Sequence, residues 1–151
     1  MNAESFLKKH LNYKVIKRAD SNLYLTRFYI FRKTKWWLPS IYIHCFHSSD
    51  WDLELHNHPW KRSLSFILSG TYKEEYRKGD SVKTRVLTKG DFNYITSNRF
   101  HRVSLITPNV WTLFISGSKI KDWGFWNRKT KQYVAWQNHK STPYHAEPAH
   151  D

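Results

Sequence analysis

Short runs rich in Ile, Val, Tyr, Phe, Trp and Thr recur along this chain at near-regular intervals, and they constrain its fold more than any other feature. They occupy residues 23–31, 41–47, 53–58, 63–68, 72–76, 82–87, 91–95, 101–106, 111–116 and 133–136. Each is too short for a typical helix, and its composition is what a pleated, half-buried strand favours. Between the runs stand Ser69-Gly70, Lys78-Gly79-Asp80, Lys89-Gly90-Asp91, Thr107-Pro108-Asn109 and Ser116-Gly117, residues that turn a chain. Many short strands joined by tight turns predict a mainly β sandwich or closed barrel. Ala3 to Leu11 reads as a short amphipathic helix with Phe6, Leu7 and Leu11 on one side. Residues 1–140 read as one domain, and 141–151, with two prolines and little apolar periodicity, as a mobile tail.

One of these runs ends in His56-Asn57-His58-Pro59-Trp60. Two histidines at i and i+2 on a strand face the same way, because strand side chains alternate. With His101 from a distant run, they would offer three nitrogens to one ion and leave coordination positions open. Fe(II), Zn(II) and Ni(II) suit such a set, Fe(II) best where dioxygen is the co-substrate. A barrel lined by hydrogen-bonded histidines with no ion fits the same pattern. Glu54 shares the face of His56, which suits a rim or supporting role. His44 and His47 lie on opposite faces of their strand, so at most one points inward; His139, His145 and His150 read as tail residues.

Lys and Arg number 25 against 12 Asp and Glu, a formal charge of +13. The excess is spread along the chain. A surface of this sign concentrates anions: nucleic acid, nucleotides or small phosphorylated or carboxylated substrates. Arg32 to Trp37 and Arg128 to Lys131 interleave or cluster basic residues in a way that also suits nucleic acid, although packing accounts for most of the eight tryptophans. The single cysteine, Cys45, excludes an intrachain disulfide. The polar N-terminus and the lack of any run near ~20 apolar residues predict a cytoplasmic protein with no membrane partner.

The two histidine regions resemble the motifs of the cupin superfamily, a double-stranded β-helix or jelly-roll barrel. Its first motif has the form G-x5-H-x-H-x3,4-E-x6-G; His56, His58 and Gly70 match, Asp50 stands for the opening glycine and Ser63 for the glutamate. Its second has the form G-x5-P-x-G-x2-H-x3-N; Gly90 and His101 match, while Thr96, Asn98 and Leu105 replace the proline, glycine and asparagine. The resemblance covers residues 40 to 117. It implies a barrel with all three histidine ligands and no carboxylate ligand, similar to the cysteine dioxygenase branch. His56 to Trp60, Ser65 to Gly70, Trp111-Thr112-Leu113 and Trp123-Gly124-Phe125-Trp126 are also similar to small cupin-like proteins of bacteria and bacteriophages, a group with no settled activity.

The expected site follows. His56, His58 and His101 are the metal ligands. Tyr72, Tyr94 and Arg102 are the catalytic candidates. Trp60, Ser63 and Arg99 are placed on the substrate side. Arg99 and Arg102 flank His101 and could clamp a carboxylate or phosphate, with surface charge as the competing reading. Ser63 could bond a metal-bound water, or simply leave room for substrate. The function this implies is a dioxygenase-like reaction on a small anionic substrate. Two alternatives remain open: a non-catalytic binder of a nucleotide or other anion, and a basic aromatic nucleic-acid-binding protein. A homodimer is compatible with all three.

Overall fold

The computed structural model describes residues 2–18, 20–32, 35 and 37–140. The proposed tail, with His145 and His150, lies outside the described residues, as do Lys33, Thr34 and Trp36 of the basic aromatic stretch. Two antiparallel six-stranded sheets face one another. The first runs β1 (Tyr13–Lys17), β2 (Leu23–Phe31), β3 (Ser40–Phe46), β10 (Val110–Ser116), β5 (Arg62–Ser69) and β8 (Phe92–Thr96). The second runs β12 (Tyr133–Ala135), β11 (Gly124–Trp126), β4 (Leu55–His56), β9 (His101–Leu105), β6 (Thr71–Lys78) and β7 (Ser81–Thr88). This is the expected mainly β jelly roll. Non-consecutive neighbours such as β3 and β10, or β4 and β9, bring distant parts of the chain side by side.

Alternation drives the assembly. Along β10, Val110, Thr112, Phe114 and Ser116 are buried, while the residues between them are only partly covered. Ile67, Tyr72, Leu87, Val103 and Val110 form one apolar core between the sheets; Leu55, Phe100 and Trp126 form another. Gly70 makes the turn from β5 to β6 with φ +86°, and a Cβ there would lie 2.8 Å from Thr107 Oγ1 and 2.9 Å from the Asn109 carbonyl. Only glycine satisfies both demands.

The ends depart from expectation. Helix α1 (Ala3–His10) forms, with the Asn2 side chain accepting from the Ser5 N–H at 2.8 Å. It buries none of its side chains, and Phe6 rests on its own His10. Strand β1 and strand β11 were not read from sequence: the first is an exposed edge with little apolar signal, the second only three residues long. The expected strand over 53–58 shrinks to Leu55–His56: before it the Glu54 N–H turns back to the Asp52 side chain at 2.9 Å, and after it only the Asn57 N–H reaches across, to the Gly124 carbonyl at 3.0 Å, before Pro59, which has no N–H. Among the described residues no helix is long and apolar enough to cross a membrane.

Candidate metal centre

His56 and His101 are directly opposed partners across β4 and β9. His58, two residues past His56, turns in beside them. The three ring centroids lie 5.0–5.1 Å apart, a nearly equilateral triangle, and His58 Nε2 is 2.8 Å from His101 Nε2. Three imidazoles sharing an ion at ~2.1 Å would have centroids about 4.5–5.3 Å apart, so the donor set fits a small divalent ion.

His101 is oriented from behind. Its Nδ1 lies 2.7 Å from Glu74 Oε1, and an ionised carboxylate can only accept, so Nδ1 carries the proton and Nε2 turns its lone pair to the other rings. Glu74 is wholly buried. Asn93 donates to its Oε1 at 2.8 Å, and Arg85 and Arg99 reach its Oε2 at 2.6 and 3.1 Å. Burial alone would raise its pKa; the His101 and Asn93 hydrogen bonds and the Arg99 charge overcome that and hold it well below the usual carboxylate range.

Burial, opposed by the Asp50 carboxylate and reinforced by His101, pulls His56 down to about 4. His56 Nδ1 stands 3.9 Å from Asp50 Oδ2. Burial, then the neighbouring His101 and His56, push His58 well below the ordinary imidazole range. Both rings are therefore neutral at neutral pH, the form that ligates a metal.

The triad opens on a cavity of about 670 Å³ between the sheets. Trp60 lines it and stacks on His58 with centroids 5.4 Å apart. Tyr72 also lines it; burial and the nearby Glu74 push its phenol up to about 12, so it is a proton donor and not a base.

The other expected site residues lie elsewhere. Tyr94 stands on the outward side of β8, 48% exposed. Arg102 follows His101, so alternation sends it to the opposite face of the sheet, where it bonds Glu75, Ser104 and the Asp50 and Asp52 carbonyls. Arg99 is committed to Glu74 and lies over the Tyr76 ring at 4.4 Å. Ser63 is buried against the Ile95 carbonyl, and Ser65, one inward position along, lines the cavity instead. Glu54 accepts from the Arg128 N–H at 2.7 Å rather than facing the rings. His139, expected in the tail, lines the cavity, stacked on Phe125 at 3.7 Å and bonded to Asp52 at 2.7 Å.

Sequence reasoning missed Glu74, Asn93 and Arg27, and read Asp50 only as the residue standing for the opening glycine of the first motif. A signal existed for Glu74: it lies two residues after Tyr72, on the same strand face. Arg27 carries no local motif, and only the pairing of β2 with β3 puts it beside the cavity-lining His44.

No family model and no curated protein matches this chain. Solved structures do. A structure of Fe(II)-HppE with an alternative substrate superimposes with a TM-score of 0.58 at 12% identity, over 72% of this chain and 56% of that one. Oxalate decarboxylase from Bacillus subtilis gives 0.55 at 10% identity, over 74% and 28%. HEPD from Streptomyces albus, with 2-hydroxyethylphosphonate and Fe(II) bound, gives 0.59 at 11% identity, over 74% and 25%. This chain spans about half the length of HppE and about a quarter of the other two. At these identities the likeness establishes the fold, a cupin-type jelly roll shared with metalloenzymes.

Proposed function

We propose that this cupin-type barrel is a metal-dependent oxidoreductase, dioxygenase-like in chemistry, acting on a small anionic substrate. The observation that carries the reading is the convergence of His56, His58 and His101 on one cavity, with His101 held by the buried Glu74. Fe(II) bound there would supply open positions for dioxygen and substrate and the electrons for their reaction. The chain's own part is to keep two imidazoles neutral by burial, fix the tautomer of the third, and surround the reacting region with rings that exclude water. Because all three protein donors are neutral, the ion keeps its full charge, and an anionic substrate is favoured. Tyr72, protonated and inside the cavity, is placed to donate to a developing negative charge.

Metal analysis of untagged protein purified without chelator tests the site first. About one ion per chain is expected, and His58→Ala should lose it while keeping a folded circular dichroism spectrum. Unchanged metal in that variant would move the site elsewhere. Anaerobic Fe(II) loading followed by a panel of thiols, acids and nucleotides should then give substrate-dependent oxygen uptake that vanishes in His58→Ala. Recovery of an intact ligand with no uptake would favour a binding module.

A further inference from the structure

Among the described residues, four Arg or Asp side chains line the cavity: Arg18, Arg27, Asp50 and Asp52. Three of them are engaged. Asp50 accepts from the Tyr24 hydroxyl at 2.5 Å and the Val103 N–H at 2.6 Å. Asp52 takes His139 and the Glu54 N–H. Arg18 closes its fork on Asp20 at 3.3 and 2.7 Å and lies over Trp51. Arg27 differs. Its Nε donates to His44 Nε2 at 3.0 Å and its guanidinium lies over the Tyr42 ring at 5.0 Å, but its two terminal nitrogens bond no described residue.

The fork is also prepositioned. His44 is 4% exposed and is stacked against Phe114 at 5.1 Å and Tyr42 at 5.8 Å. Its Nε2 must be unprotonated to accept from Arg27, and burial together with the Arg27 charge holds the ring neutral. Little side-chain freedom remains to be lost when a ligand binds. Around Arg27 the walls are largely apolar, including Leu25, Phe46, Phe114 and Phe125.

We propose that the terminal nitrogens of Arg27 bind the oxyanion, carboxylate or phosphonate, of an amphipathic substrate whose apolar body lies against Phe46 and Phe114 and whose far end meets the three histidines. A planar fork matches two oxygens of such a group in parallel. His44 is a positioning residue: it aims Arg27 and touches no substrate. The inference rests on reading the cavity as a substrate site, and it replaces Arg99 and Arg102 with Arg27 as the anion contact.

The test is calorimetric, on chelator-treated and Zn(II)-loaded protein, with 3-phenylpropionate, benzylphosphonate and neutral 3-phenylpropanamide as probes. In metal-free wild type at least one anion should bind ~10-fold or more tighter than the amide, and the tighter of the two identifies the oxyanion class. Arg27→Gln should erase that preference while leaving metal stoichiometry intact. His58→Ala should do the reverse, so failure here is distinct from failure of the metal centre. His44→Gln, whose carbonyl can still accept from Arg27, should keep the preference, and His44→Phe should lose it with the fold retained. Equal binding of amide and both anions to wild type, no binding of either anion, or a preference that survives Arg27→Gln would overturn the proposal.

Discussion

Two buried ion clusters lie back to back across strands β6 and β9. On the inward face Glu74 holds His101, Asn93, Arg85 and Arg99. On the outward face, one residue along each strand, Glu75 holds Arg102 at 2.9 Å and Arg128 at 3.1 Å. The chemistry is nearly the same: a carboxylate, two guanidiniums and strong hydrogen bonds. Their consequences differ. The outward cluster is structural: Arg102 bonds the Asp50 and Asp52 carbonyls and pins the loop before β4 to the sheet, while Arg128 reaches Glu75 through Nη1 alone and keeps its Nε and Nη2 buried among the described residues without a partner. The inward cluster ends in the Nε2 lone pair of His101, which faces two other imidazoles and a cavity. A buried ion pair is therefore no marker of function by itself; what counts is whether its last member turns a lone pair toward other metal-capable groups beside a cavity.

Breaking the outward cluster should have the larger effect on stability. Arg102→Ala removes a side chain only 1% exposed and strips the Asp50 and Asp52 carbonyls of a donor. A loss of about 3 kcal/mol or more is expected, seen as a lower urea midpoint, with metal content per folded chain unchanged. A variant that folds normally but loses its metal would place Arg102 in the site after all.

Glu74→Gln sharpens the contrast from the other side. It removes the charge behind His101 but keeps an acceptor, and Arg85 and Arg99 can turn toward water. Metal affinity should fall about 10- to 100-fold, with a smaller stability loss than in Arg102→Ala. Competition with a chelating indicator measures it; an unchanged affinity would reduce Glu74 to packing.

Acid should act on the metal-free inward cluster. His56 sits at about 4 when folded against 6.5 in its ordinary state, so between those values the unfolded chain binds more protons and stability falls with falling pH. Glu74, held below its ordinary 4.5, contributes stability that is present above that value and lost as pH falls below it. The urea midpoint should therefore drop from pH 7 toward 4, and less steeply in His56→Gln. A flat profile would remove the burial argument for neutral histidines.

Tyr94→Ser should matter least. The ring stands outside the cavity, so metal affinity and oxygen uptake should be unchanged and stability altered by less than about 0.5 kcal/mol. A loss of activity would mean that the outward face of β8 takes part in the reaction.

The sequence by itself determined most of the strands, though not β1, β11 or the short extent of β4, and the side chains that share a face within them. His56 and His58 lie at i and i+2, and the turn glycines Gly70 and Gly90 stand where left-handed backbone is needed; these are local facts, set by the two-residue strand period and by steric limits on φ. The jelly roll was accessible because its motif spacing encodes those local facts at two places. The tertiary structure decided the rest. Arg102 was read as a site residue because it adjoins His101, yet one step along a strand reverses the face. Ser63 yielded its place to Ser65 by the register of β5. Arg27, 29 residues before His56 in the chain, enters the cavity only because β2 pairs with β3 and sets it beside His44. Which wall faces which, and which guanidinium is held there through Nε alone, depends on long-range pairing that no short stretch of sequence contains.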